Sequence, residues 1–192
     1  LTGISTANSL QLIQTAKKES VSVSCSVTPY HLFYSDEDLA NYNTNLKVNP
    51  PLRSKKDRDS LRVAVQAGLI DCIASHHLPH ESDSKIVEFE HAQYGMIGLE
   101  TAYAVTNTSI ENLTPLRTAE LFSLNPRKIF GLDSPTIDIN QRICFTLFDP
   151  TIEWTPTKEA LQSRSSNTPF LGKKLQGKVI GTLHHNAISL FV

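Results

Sequence analysis

The 192-residue chain is poor in most features that assign a protein quickly. It has three cysteines, Cys25, Cys72 and Cys144, with one tryptophan and one methionine, Met96. Three scattered cysteines, each in an apolar stretch, build neither a disulfide framework nor a CxxC zinc site, which points to a reducing compartment and a cytoplasmic location. Apolar runs such as residues 69–70 and 188–192 fall far below the roughly 20 residues of a membrane span. An excess of basic charge is missing too. The 18 Lys plus Arg stand against 19 Asp plus Glu, a formal charge of −1, so neither nucleic acid nor a membrane surface is an expected partner. Small neutral or acidic ligands remain open. Because the chain starts at Leu1 and Met96 is its only methionine, it is expected to be a piece of a longer protein.

What is present is an α/β pattern. Residues 6–18 place Leu10 and Ile13 at helical spacing behind a Ser5 or Thr6 N-cap. In residues 21–27, Val21, Val23, Cys25 and Val27 alternate with three serines, which predicts a strand with one apolar and one small polar face. A long polar loop over 35–49 and the Pro50-Pro51 pair precede a helix over 57–67, capped by Gly68. Residues 69–75 read as a buried strand of the parallel type. Helices are expected over 98–106, 115–124 and 126–130, the last two each opened by an N-cap followed by Pro, at Thr114-Pro115 and Asn125-Pro126. From Ile139 the character changes: residues 143–148, 178–183 and 188–192 are strand-like, the last two joined as a hairpin across 184–187. The expected organisation is an α/β section over residues 1–135 and a β-rich section over 136–192. The α/β section is short of the roughly 250 residues of a closed eight-stranded barrel, and part of such a circle leaves unpaired strand edges.

Three stretches carry chemistry. Ser75-His76-His77-Leu78-Pro79-His80 follows the second strand, where α/β folds place their active sites. His76, His77 and His80, with His31 after the preceding strand, suggest a metal site. Successive side chains on extended backbone diverge, however, and no carboxylate lies inside the cluster, so ligand contact by the imidazoles is the favoured reading. In Lys47-Val48-Asn49-Pro50-Pro51-Leu52-Arg53 the prolines hold Asn49 extended, and its amide could meet a cyclic amide bidentately; the alternative is a rigid surface loop with Arg53 in an ion pair. Tyr94-Gly95 lets backbone amides approach a ligand closely, or is a simple turn.

Read together and in this order, these stretches resemble the C-terminal half of a dihydroorotase of the cyclic amidohydrolase superfamily. The matching segments are Ile4-Ser5-Thr6, Thr28-Pro29-Tyr30-His31-Leu32, residues 47–53, 68–80 and 95–101, and Asn167-Thr168-Pro169-Phe170 with Gly172, Leu175 and Gly177. The resemblance implies the C-terminal part of a distorted (β/α)8 TIM-type barrel, followed by strands of a small β domain built from both chain ends. It implies reversible interconversion of carbamoyl aspartate and dihydroorotate in pyrimidine biosynthesis, with zinc as cofactor: a zinc-held hydroxide attacks the ring amide and an aspartate shuttles the proton. Its substrate contacts fall on Asn49, His80, Tyr94 and Gly95. Implied partners are the N-terminal half of the same protein, a further copy in a homo-oligomer, and aspartate transcarbamoylase.

The metal positions depart from the family. Its motif reads Ser-Asp-His-Ala-Pro-His, so His76 stands where the zinc-binding, proton-shuttling aspartate is expected. The position of a metal-ligating histidine before Ile4 is Gly3. Pro29-Tyr30-His31-Leu32 replaces the family's Pro-His-His-Leu, and the other family ligands lie before Leu1, so no residue of this chain is assigned to metal. Losing a carboxylate next to two zinc ions removes both compensating charge and a proton acceptor. The expectation is a catalytically degenerate dihydroorotase-like protein that keeps a ligand wall and acts as a structural or assembly partner. The alternatives are an active zinc-dependent amidohydrolase with a rearranged site, and a single structural metal on His31, His76 and His77. Phe170, in the tail, is expected to be buried.

Overall fold

The computed structural model describes residues 1–134, 136–139, 143–184 and 187–191. Its first part is a wall of parallel backbone with helices on its outside. Residues 1–4 run beside residues 24–26, Ser26 N donating to Leu1 O and Ile4 N to Ser26 O at 3.0 Å each. Strand β1 (Ser26–Val27) pairs in parallel with β2 (Cys72–Ile73), and His77 bridges to Met96 in the same sense beyond it. The expected strand over 21–27 is reduced to its last two residues. Its alternation does not mark a polar face, because Cys25, Ser26 and Val27 are all buried. A parallel strand is covered on both sides, by helices and by the interior, and the small serine fits that interior.

Helix α1 (Ala7–Lys18) starts where Thr6 accepts from Ser9 N and buries Leu10 and Ile13. After β1 comes α2 (Pro29–Phe33), not expected from periodicity although Thr28 caps it and Pro29 stands at its first position. Two 3-10 turns, Asp36–Asn41 and Thr44–Leu46, occupy the long polar loop. Helix α3 (Lys55–Gln66) buries Leu61, Ala64 and Val65 against the residues of α1 and the wall. One carboxylate serves the starts of both long helices: Asp57 accepts from Ala7 N at 2.8 Å and from the Ser54 hydroxyl at 2.6 Å. At the other end Lys17 donates to both Asp71 oxygens at 2.9 Å, fastening the last turn of α1 to the entry of β2.

Helix α4 (Ala102–Ser109) begins four residues later than expected. Helix α5 (Pro115–Ala119), a π-helical turn over Glu120–Leu124 and α6 (Asn125–Phe130) follow without a break. Asn125 is therefore not a cap. It sits in helical backbone at φ −67° and ψ −44°, and its amide donates to Asp71 O at 2.9 Å instead.

The tail is an antiparallel sheet in the order β3 (Cys144–Trp154), β4 (Leu175–His184), β5 (Ala187–Leu190). The expected section boundary at residue 135, the hairpin residues 185–186 and Val192 lie outside the described residues. A second core cluster joins tail to wall: Phe170 and Leu175 pack with Tyr30, Tyr34, Met96 and Val105. As expected, Phe170 is buried, its ring 5.4 Å from Phe33 and 5.2 Å from Tyr34. Further along the sheet, Phe145, Leu183 and Ile188 stand in one cross-strand row, and Leu147, Gly181 and Leu190 in the next on the same face. That apolar face is open, with Ile188 68% and Leu190 62% exposed. Among the described residues no helix is long and apolar enough to cross a membrane.

Candidate functional site

The carboxyl ends of the parallel segments form a rim. His76 leaves β2 in the left-handed region at φ 43°. Its Nε2 lies 2.8 Å from Thr2 Oγ1, which lies 2.9 Å from Ser26 Oγ, so three neighbouring segments are joined side chain to side chain. Burial pushes the His76 imidazole below its ordinary pKa and favours the neutral ring. Gly3 is in contact with it. A Cβ built at Gly3 would stand 3.1 Å from His76 Cε1 and 3.2 Å from Pro50 Cδ.

The other histidines hold different loops. His31 is buried, and its Nε2 meets Pro50 O at 3.1 Å and Pro51 O at 3.4 Å. Carbonyls only accept, so Nε2 carries the proton and Nδ1 accepts from the Thr28 hydroxyl at 2.7 Å. Burial first of all pushes its pKa down to about 4. His77 Nδ1 accepts from Gly98 N and Leu99 N at 3.2 and 3.3 Å. The three rings therefore serve three separate attachments. Among the described residues no group of three His, Cys, Asp or Glu side chains is placed to hold one metal ion.

His80 does meet Tyr94 and Gly95. Its Nε2 donates to Tyr94 O at 2.8 Å, while Gly95 N donates to Lys47 O at 2.8 Å, two residues before Asn49. Gly95 has φ 104°, and a Cβ there would fall 2.5 Å from Leu78 Cδ1, so only glycine fits. Asn49 is exposed on this rim, and Pro50 links it to Gly3 and His76. The residue that joins these loops, Asn167, stands in a segment matched from sequence but is given no role in the site there. The buried Asn167 donates from Nδ2 to Leu78 O at 2.9 Å and accepts at Oδ1 from His80 N at 3.2 Å. Its amide also lies 3.5 Å from Gly95 O. The signal was its place before Thr168-Pro169, where a short polar side chain sits on rigid backbone.

Two ammonium groups anchor the loop that carries Tyr94. Lys47 Nζ donates to Glu90 O at 2.6 Å and lies 4.7 Å from the centre of the Tyr94 ring, a cation–π contact. Lys85 Nζ donates to Thr44 O and Gln93 O, and burial, with Lys47 nearby, lowers its pKa to about 8. The chemistry on offer is hydrogen bonding from imidazoles, amides, ammonium groups and backbone. A cavity of about 360 Å³ lined by Tyr34, Asp38, Asn43 and Lys173 lies off this rim.

Similarity in structure defines the class: the chain has the fold of the TIM-barrel amidohydrolases. The L-hydantoinase of Arthrobacter aurescens superposes with a TM-score of 0.88 at 23% identity, covering 100% of this chain and 45% of that one. The inactive dihydroorotase-like domain of the Chaetomium thermophilum CAD-like multifunctional protein superposes with a TM-score of 0.71 at 21% identity, over 98% of this chain and 50% of that one. No protein-family model matches the chain. Sequence similarity carries the assignment further. The dihydroorotase of Aquifex aeolicus is 40% identical over 185 residues, and that of Chlorobaculum tepidum 36% identical over 190, covering 94% and 96% of this chain. Over nearly its whole length the chain is similar to dihydroorotases, of which it spans about 43%, consistent with a C-terminal half.

Proposed function

We propose that this chain is the C-terminal part of a dihydroorotase-like protein whose catalytic apparatus is degenerate and which serves as a structural or assembly partner in pyrimidine biosynthesis. The observation that carries the reading is the Gly3 and His76 pair: a residue without a side chain touching a neutral ring where the family resemblance calls for a histidine and an aspartate. The residues present do not fit a zinc shell. Both His31 nitrogens are engaged by Thr28 and the Pro50 and Pro51 carbonyls, His77 Nδ1 is engaged by two amides, and His76 Nε2 by Thr2.

On this reading Asn49, His80, Tyr94 and Gly95 form a wall for a small cyclic amide or its ring-opened acid, without turning it over. Residues 1–135 are the barrel part and 136–192 supply strands of a composite β domain in a cytoplasmic protein. The open face bearing Leu147, Ile188 and Leu190 is covered by the part of the longer protein outside this sequence, and aspartate transcarbamoylase or a further copy of the chain is the assembly partner. The test is the purified full-length protein with dihydroorotate, with zinc measured on the same sample. We expect no chelator-sensitive conversion and less than about a tenth of an equivalent of zinc. Conversion at an ordinary enzymatic rate, abolished by chelator, overturns the reading. It would favour an active zinc-dependent cyclic amidohydrolase with a rearranged site, to which the ordered rim at His80, Tyr94 and Gly95 also lends support.

A further inference from the structure

Degeneracy at a metal site ordinarily leaves a hole, since removing donors leaves space and unpaired groups. Here the space is filled. His76 lies over Gly3 with its ring held by Thr2 Oγ1 at 2.8 Å, Thr2 is held in turn by Ser26 Oγ at 2.9 Å, and Pro50 closes the other side of Gly3. The His76 backbone at φ 43° is the conformation that lays the ring across this gap, one that L-residues seldom adopt. Gly3 itself is at φ 68°. With Cε1 at 3.1 Å and Pro50 Cδ at 3.2 Å from where its Cβ would be, a larger residue must displace the tethered imidazole and the proline ring by a few tenths of an ångström.

We propose that residues 3 and 76 are sterically coupled: His76 is a plug that closes the carboxyl ends of the parallel segments from inside the chain, and it is compatible with glycine at position 3 and little else. This rests on the reading of the site as degenerate, and it adds why the two substitutions occur together. A histidine at position 3 cannot be reinstated while His76 is present. The same closure joins residues 1–4 to β2 across β1, the fastening that a shared metal ion would otherwise supply.

The test is a double-mutant cycle on the full-length protein, read by melting temperature, with zinc uptake by equilibrium dialysis as a second measurement. Gly3→Ala lowers Tm in the wild-type background. The conformational cost of alanine at φ 68° is common to both backgrounds and cancels, so the cycle isolates the contact with the ring. In a His76→Ala background the drop should be smaller by at least about 3 °C. Equal drops in the two backgrounds overturn the proposal, as does a Gly3→His variant that keeps its Tm and takes up roughly one equivalent of zinc. Should Gly3→His fail to fold, the milder Gly3→Ala cycle still decides. Turnover of dihydroorotate by the wild type would sink the proposed function while leaving the cycle readable. An additive cycle in an inactive protein sinks only the plug.

Discussion

Val27, Ile70 and Leu121 in the wall and its helices have no exposed surface, whereas Ile188 and Leu190, equally apolar and in a regular strand, keep 68% and 62% of theirs. The tail strands still align Phe145, Leu147, Leu183, Ile188 and Leu190 on one sheet face. The difference is that helices α1 and α3 cover the wall, while among the described residues no element covers Ile188 and Leu190. Pattern decides which way a side chain points; burial needs a second layer, which Ile188 and Leu190 do not have among the described residues.

Four measurements would break or sharpen that contrast. Phe170 is the joint between the regions, and Phe170→Ala should cost about 3–5 kcal/mol in urea denaturation. A loss under about 1 kcal/mol would mean that the tail is not anchored to the wall through this ring. Next comes pH. The folded state holds His31 neutral with a pKa near 4, against 6.5 for an ordinary histidine. The unfolded chain therefore binds the extra proton first, so the contribution is complete above pH 6.5 and is lost as pH falls towards 4. It amounts to about 3 kcal/mol, and His31→Gln should flatten the stability profile across that window while leaving the tail's behaviour unchanged. Asn167→Ala leaves Leu78 O and His80 N without their partner and should cost about 1–3 kcal/mol. Asn167→Asp keeps the acceptor for His80 N but turns a buried carboxylate oxygen on Leu78 O, and should recover none of the loss. The smallest effect belongs to Leu190→Ser. In the 192-residue chain it should change stability by no more than about 0.5 kcal/mol, and a loss of about 2 kcal/mol in the full-length protein would show that the open face is covered there.

Much of this was legible in the sequence where the physics is local. Helices α1 and α3 follow from caps and period, and the His80, Tyr94 and Gly95 grouping follows from motif resemblance. What was not legible depends on neighbours. Strand 21–27 alternates cleanly yet pairs over only two residues, and there Ser26 is buried with Cys25 and Val27, because both sides of a parallel wall are covered. Asn125-Pro126 has the chemistry of a helix start, but Asp71 O draws the Asn125 amide into the interior of a continuous helix. The histidines read as possible co-ligands, and the structure shows each imidazole engaged by a different backbone or hydroxyl partner, a distribution that spacing along the chain cannot reveal.

Asn167 has one amide group to divide between two stretches nearly ninety positions and seventy positions upstream, and its peptide oxygen takes the Ile97 amide as well. Losing this one residue therefore removes ties to both stretches at once. The tail thus fastens residues 78–80 and residues 95–97 to each other through one side chain and one carbonyl.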